Sequence, residues 1–86
     1  MEENKNLVGK VIEHKVNDLK LTILLNDKLK VGDKIMIKKD DKQASFIIKE
    51  ITVDGINVDK GFDGDIIEIA VENATEQLSD GLVYKI

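Results

Sequence analysis

The chain has 86 residues, 17 acidic and 13 cationic, for a net charge of −4, and it contains no Cys and no Pro. This composition suits one domain with a small core and excludes a disulfide framework or a thiolate metal site. No stretch is long and apolar enough to span a membrane, and the polar start Met1-Glu2-Glu3-Asn4-Lys5-Asn6 lacks the pattern of a signal peptide, so a flexible tail over 1–6, a single domain over 7–86 and a cytoplasmic setting are expected.

Leu7 to Val16 reads as a first strand, with Gly9 marking a bulge or a close approach. Asn17-Asp18 is a turn. Leu19 to Leu25 is a second strand, with Leu19, Leu21, Ile23 and Leu25 on one face. A loop opened by Asn26-Asp27-Lys28 leads to Gly32-Asp33. Asp33 to Lys39 is a third strand with Ile35 and Ile37 inward, and Asp40 to Gln43 turns it back. Ala44 to Val53 is a fourth strand. Its run Phe46-Ile47-Ile48 is apolar on both faces, which suits a central strand or a bulge. Asp54-Gly55 is a two-residue hairpin signal leading into a short strand, Ile56 to Val58. Lys60 to Gly64 is a loop, and Asp65 to Val71 is a sixth strand with Ile67, Ile69 and Val71 on one face. Asn73 to Asp80 is polar and suits one helical turn. Gly81 to Ile86 is a last strand, expected to close the sheet.

One phrase recurs. Lys30-Val31-Gly32-Asp33-Lys34-Ile35-Met36-Ile37 is echoed by Phe62-Asp63-Gly64-Asp65-Ile66-Ile67-Glu68-Ile69, and more loosely by Asp80-Gly81-Leu82-Val83-Tyr84-Lys85-Ile86. Gly tolerates positive φ, and Asp hydrogen-bonds its own backbone, so Gly-Asp makes a tight turn. The alternation after it has the period of a half-buried strand. Short strands at spacings near ten residues, with turns between them, argue an all-β fold: a small closed barrel of six or seven strands, with Leu21, Ile23, Ile35, Ile37, Ile48, Ile67 and Ile69 in its core.

The early Gly-Lys-Val strand, Leu29-Lys30-Val31-Gly32-Asp33-Lys34-Ile35-Met36-Ile37, the hairpin into Phe46-Ile47-Ile48-Lys49-Glu50-Ile51, and Gly64-Asp65-Ile66-Ile67-Glu68-Ile69 together resemble the second domain of translation GTPases. That barrel occurs in elongation factor Tu and initiation factor two. The C-terminal domain of collagenase-like peptidases is similar. Ser79-Asp80-Gly81-Leu82-Val83-Tyr84 stands for the last strand of the pattern, with Asp and Gly reversed. The resemblance covers residues 7–86 and rests on turns and core positions. It implies a translation-protein-type barrel that contacts RNA or the ribosome, or one that packs on a catalytic domain. The chain has no phosphate-binding Gly-Lys-Ser/Thr loop, so no GTPase domain is expected within these residues, and no peptidase domain is expected within them either.

All thirteen cations are Lys. Arg is the usual fork for guanine edges, so sequence-specific DNA reading is not expected. Residues 1–49 hold eleven Lys against eight acids, whereas 50–86 hold two Lys against nine. Lys34, Lys38, Lys39, Lys42 and Lys49 form the densest basic cluster, which reads either as a phosphate-backbone contact or as a solvated face whose edge lysines oppose aggregation. Phe62, between glycines, is the one aromatic expected to be displayed, as a partner anchor or as a plug for the barrel end. Asp59-x-Gly61-x-Asp63-Gly64 partly matches a calcium loop but lacks its third and twelfth ligands, so no metal is expected. His14 is the lone His and has no nucleophile beside it in the sequence, so neither catalysis nor a cofactor is expected. Two functions stay open: a module contacting RNA or the ribosome through the lysines, and a protein-interaction domain docking on a separate catalytic subunit through an apolar edge or Phe62.

Overall fold

The computed structural model describes residues 6–15, 17, 19–71 and 78–86, with no α-helix among them. Ten strands follow in chain order: β1 (Asn6–Lys15), β2 (Lys20–Leu25), β3 (Leu29–Lys30), β4 (Lys34–Lys39), β5 (Lys42–Ile47), β6 (Ile51–Val53), β7 (Ile56–Val58), β8 (Lys60–Gly61), β9 (Ile66–Ala70) and β10 (Leu82–Lys85). Eight form one antiparallel sheet in the order β5-β4-β10-β1-β2-β9-β6-β7. The other two, β3 and β8, pair as a short ribbon.

Alternation builds the core. Leu21, Ile23 and Leu25 of β2, Ile35 and Ile37 of β4, and Ile67 and Ile69 of β9 all turn to one side, where they meet Val8, Val11, Leu29, Ile48, Ile51, Val71, Leu78 and Val83 in a single cluster. All seven expected core residues are buried there. Truncating one of them, Ile23→Ala for example, removes contacts worth about 2–5 kcal/mol.

The expected closed barrel is not what forms. The ladder is open, with β5 at one edge and β7 at the other. Both edges are instead stitched to the turn at 31–33 by backbone hydrogen bonds. Gly32 N–H donates to Ile48 O, Ile48 N–H to Asp33 O, and Val31 N–H to Asp59 O. The Asp33–Ile48 contact lies one step beyond the β4–β5 pairing, and Val31–Asp59 one step beyond the β3–β8 pairing. The expected fourth strand splits for the same reason. Its first part, β5, is an edge strand rather than a central one. Ile47 is 58% exposed on it, while Ile48 leaves the ladder and turns into the core. The last strand does not close the sheet but lies inside it, between β4 and β1. Leu19 is not on the inward face. It sits in a turn at φ 55 and is exposed. Asn6, placed in the tail by sequence, begins β1, and the helical turn expected from Asn73 falls largely outside the described residues.

The repeated phrase is one structure used twice. In the first turn Asp33 N–H donates to Lys30 O at 3.1 Å, and the Asp33 carboxylate accepts from Lys30 N–H at 3.0 Å. In the second, Asp65 N–H donates to Phe62 O and its carboxylate accepts from Phe62 N–H, both at 2.9 Å. Gly32 and Gly64 hold the third place at φ 96 and 91, the left-handed region that Gly enters without strain. The third copy explains its reversal. Gly81 N–H closes the turn on Leu78 O, and Asp80 takes the left-handed place at φ 70. A Cβ on Gly81 would lie 2.8 Å from Ile37 Cγ2 and 2.9 Å from Leu78 O, so Asp cannot stand where it stands in the other two turns. Gly9 is likewise a close approach, its absent Cβ only 2.7 Å from Leu24 O, beside a register shift in β1.

His14, buried on β1, clasps the chain ahead of β10. Its Nδ1 accepts from Leu78 N–H at 2.9 Å, and its backbone N–H donates to Ser79 Oγ. Nδ1 is therefore unprotonated, and burial lowers the imidazole pKa below 6.5.

Two measurements check these arguments. In urea melts, Gly64→Ala meets only backbone strain and should cost about 1–2 kcal/mol, whereas Gly81→Ala meets packed atoms and should cost about 1–3 kcal/mol, the larger loss of the two. For His14 the unfolded chain takes up the proton first, so the clasp contributes fully above pH 6.5 and its contribution falls as pH drops toward the lowered folded value. The urea midpoint of wild type should therefore decline below pH 6.5, and His14→Gln should flatten that decline.

Candidate functional site

The expected lysine cluster does not assemble in one place. Lys34 and Lys38 project from the outer face of β4 with Met36 between them. Lys39 and Lys42 face each other at the hairpin end, on the opposite parity. Lys49 follows β5 and shares an open groove of about 450 Å³ with Lys34, Ser45, Phe46, Ile47, Ala70 and Val71. So the fold brings Lys34 and Lys49 together, keeps Lys38 on the same face as Lys34, and turns Lys39 and Lys42 away at the hairpin end. Phe46, from the run that is apolar on both faces, is half-buried against the core.

Two features stand out that sequence reading passed over. The first is on the outer face of the large sheet. Leu82 of β10 pairs with Lys10 of β1, Lys10 with Leu24 of β2, and Leu24 with Ile66 of β9. One register step away, Met36 pairs with Tyr84, and Tyr84 with Leu7. Leu7, Leu24, Ile66 and Leu82 are 41%, 42%, 53% and 39% exposed. Single exposed apolar residues are ordinary, but here four share one face: Leu24 and Ile66 are direct cross-strand partners, Lys10 lies between Leu24 and Leu82, and Lys38 flanks Leu82 on its other side. The signal was present in the sequence. Leu24 and Ile66 sit at the outward parity of strands whose inward residues, Ile23 and Ile67, are also apolar.

The second surrounds Phe62. The ring is 57% exposed and does not plug the interior. It lines a pocket of about 230 Å³ with Lys28, Lys30, Lys60, Lys85, Asp33 and the buried Leu29. The short β3–β8 ribbon forms its base, because Gly61 has no side chain. A Cβ there would lie 2.6 Å from Leu25 Cδ1. Lys30 and Lys60 are therefore direct cross-strand partners. Asp33 is the one acid in the lining, and Lys85 and Lys30 both reach it, at 3.5 and 4.0 Å. Lys60 and Lys85 are the only lysines in the acidic stretch 50–86, and both come to this pocket. No group of three or more His, Cys, Asp or Glu side chains placed to hold a metal occurs among the described residues. No helix among them is long and apolar enough to cross a membrane.

No protein-family model matches the chain, and no curated protein matches it either. Solved structures do share its fold. The crystal structure of the C-terminal domain of a candidate U32 peptidase from Geobacillus thermoleovorans has a TM-score of 0.83 at 14% identity, over 94% of this chain and 92% of that one. The selenomethionine variant of that domain has a TM-score of 0.81 at 14% identity, over 94% and 99%. At such identity the likeness is one of fold. It agrees with the peptidase side of the sequence resemblance.

Lys30 opposite Lys60 breaks the rule that like charges avoid direct register. Lys60→Glu replaces that repulsion with attraction and should raise stability by about 0.2–1 kcal/mol. Thermal unfolding at low ionic strength should show the gain, and added salt should reduce it.

Proposed function

We propose that this chain is a non-catalytic accessory domain that docks on another protein through the outer face of its large sheet. The observation that carries this reading is the row Leu82, Lys10, Leu24 and Ile66, with Met36, Tyr84 and Leu7 beside it. Covering such a surface removes apolar area from water, and the stem of Lys10, which lies between Leu82 and Leu24, adds to it. The shared fold supports the reading, since the similar domain is the C-terminal part of a candidate peptidase. The partner in this reading is a catalytic protein or domain. The single imidazole accepts from a backbone N–H inside the fold, which is a structural task. Contact with RNA or the ribosome is the second reading, and the five lysines proposed for it divide between the outer face, with Lys34, Lys38 and Lys49, and the hairpin end, with Lys39 and Lys42.

The test is quantitative capture by the tagged domain from its source lysate. Wild type should recover one stoichiometric protein indifferent to nuclease. The double variant Leu24→Asp, Ile66→Asp, checked for native circular dichroism, should recover at least about tenfold less, the loss expected when an interface centre is charged. Undiminished recovery by that variant, or recovery of nuclease-sensitive RNA in place of protein, would remove the outer face as the docking surface.

A further inference from the structure

We infer that the Phe62 pocket is a binding site for a short acidic peptide segment, one apolar side chain flanked by carboxylates. The inference shares with the docking reading only the premise that the ligand is a protein, and it concerns a different surface.

The pocket is bipartite. Its apolar half is the Phe62 ring and the buried Leu29, and its charged half is Lys28, Lys30, Lys60 and Lys85. Asp33 answers Lys30 and Lys85, and no ion pair with Lys28 or Lys60 occurs among the described residues. Four cations against one carboxylate is a local excess of three positive charges, in a protein whose net charge is −4. Within a space this small the four fields overlap, since the Debye length at physiological salt is about 8 Å. The arrangement also works against folding, because two of these lysines face each other directly across β3 and β8.

The surroundings select the ligand. Asp27, Asp59 and Asp63 adjoin Lys28, Lys60 and Phe62 in sequence but do not line the pocket, and the Asp27 carboxylate is engaged by Lys28 N–H. They bracket the basic patch, so it does not continue as a track for a phosphate backbone. Among the lining residues there is one aromatic, whereas single-strand platforms stack successive bases on several. A lone inorganic anion would leave the ring uncovered. A short segment with carboxylates on either side of an apolar residue satisfies both halves at once.

The test is a titration of the labelled peptide Glu-Glu-Phe-Glu-Glu into the intact chain, read by fluorescence anisotropy and amide shift mapping. Inorganic phosphate and a uridylate octamer serve as parallel probes. The peptide should bind with a Kd below about 1 mM, the range of weak charge-assisted contacts. Its shifts should map to Lys28, Lys30, Lys60 and Phe62, and affinity should fall as salt rises. Phe62→Ala and the double variant Lys28→Gln, Lys60→Gln are surface changes, and each should weaken binding about tenfold, the loss expected of an anchor. Leu24→Asp should leave it unchanged. No binding at 1 mM peptide, equal binding by the pocket variants, or tighter binding of the uridylate at these residues overturns the proposal. Failure here with outer-face capture intact leaves the docking reading standing. Peptide binding at the pocket with outer-face capture lost overturns that reading alone.

Discussion

In each Gly-Asp turn a carboxylate reaches back to accept the backbone N–H three residues upstream, while the same residue's own N–H closes the turn. This paired clamp fixes the local backbone at the protein surface and directs the strand that follows. It acts twice, ahead of β4 and ahead of β9, the two strands that carry Ile35, Ile37, Ile67 and Ile69 into the core. The first turn also receives the stitches from Ile48 and passes one to Asp59, so it holds both edges of an open sheet. The residues that open the two turns are Lys30 and Phe62, which is why the pocket lies between them.

The sheet's outward face and the pocket express one trade. A core in a domain of this size gains most from apolar side chains turned inward, and the outer face gains solubility from charge. Leu7, Leu24, Ile66 and Leu82 contribute nothing to the core and reduce that solubility. Lys30 facing Lys60 adds repulsion to a ribbon only two residues long. Both costs are borne at surfaces rather than in the interior, where the buried cluster is uninterrupted.

Much of this architecture could be read directly from the chain. Alternation placed Leu21, Ile23, Ile35, Ile37, Ile67 and Ile69 correctly because burial on one face leaves only one register. Asp54-Gly55 gave its hairpin, with both residues at positive φ, because few other residues adopt that turn. What could not be read was long-range or too short to have a period. The β3 and β8 strands have two residues each, so no alternation announces them. Leu19 breaks its apparent pattern through a backbone angle that Leu seldom adopts. Phe46-Ile47-Ile48 looked central because a run of three does not show that its middle residue lies on an exposed edge. The pocket was hidden because Lys28 and Lys30 lie far from Lys60, and farther still from Lys85, along the chain, and only the β3–β8 pairing and the position of β10 bring them together. The charge asymmetry between the two halves pointed elsewhere, since it does not survive folding at this site.

The position of β10 has a consequence for how the molecule comes into being. Residues 82–85 lie between β4 and β1. Without them the sheet is two separate pieces, β5-β4 on one side and β1-β2-β9-β6-β7 on the other, each with a bare edge. During synthesis the core therefore cannot close until the final strand is available, however early the local hairpins form. Pairing the first strand with the last demands a contact of high sequence separation, which slows folding. In that interval β4 and β1 present unpaired, Ile- and Val-rich edges, the condition under which nascent all-β chains associate with one another.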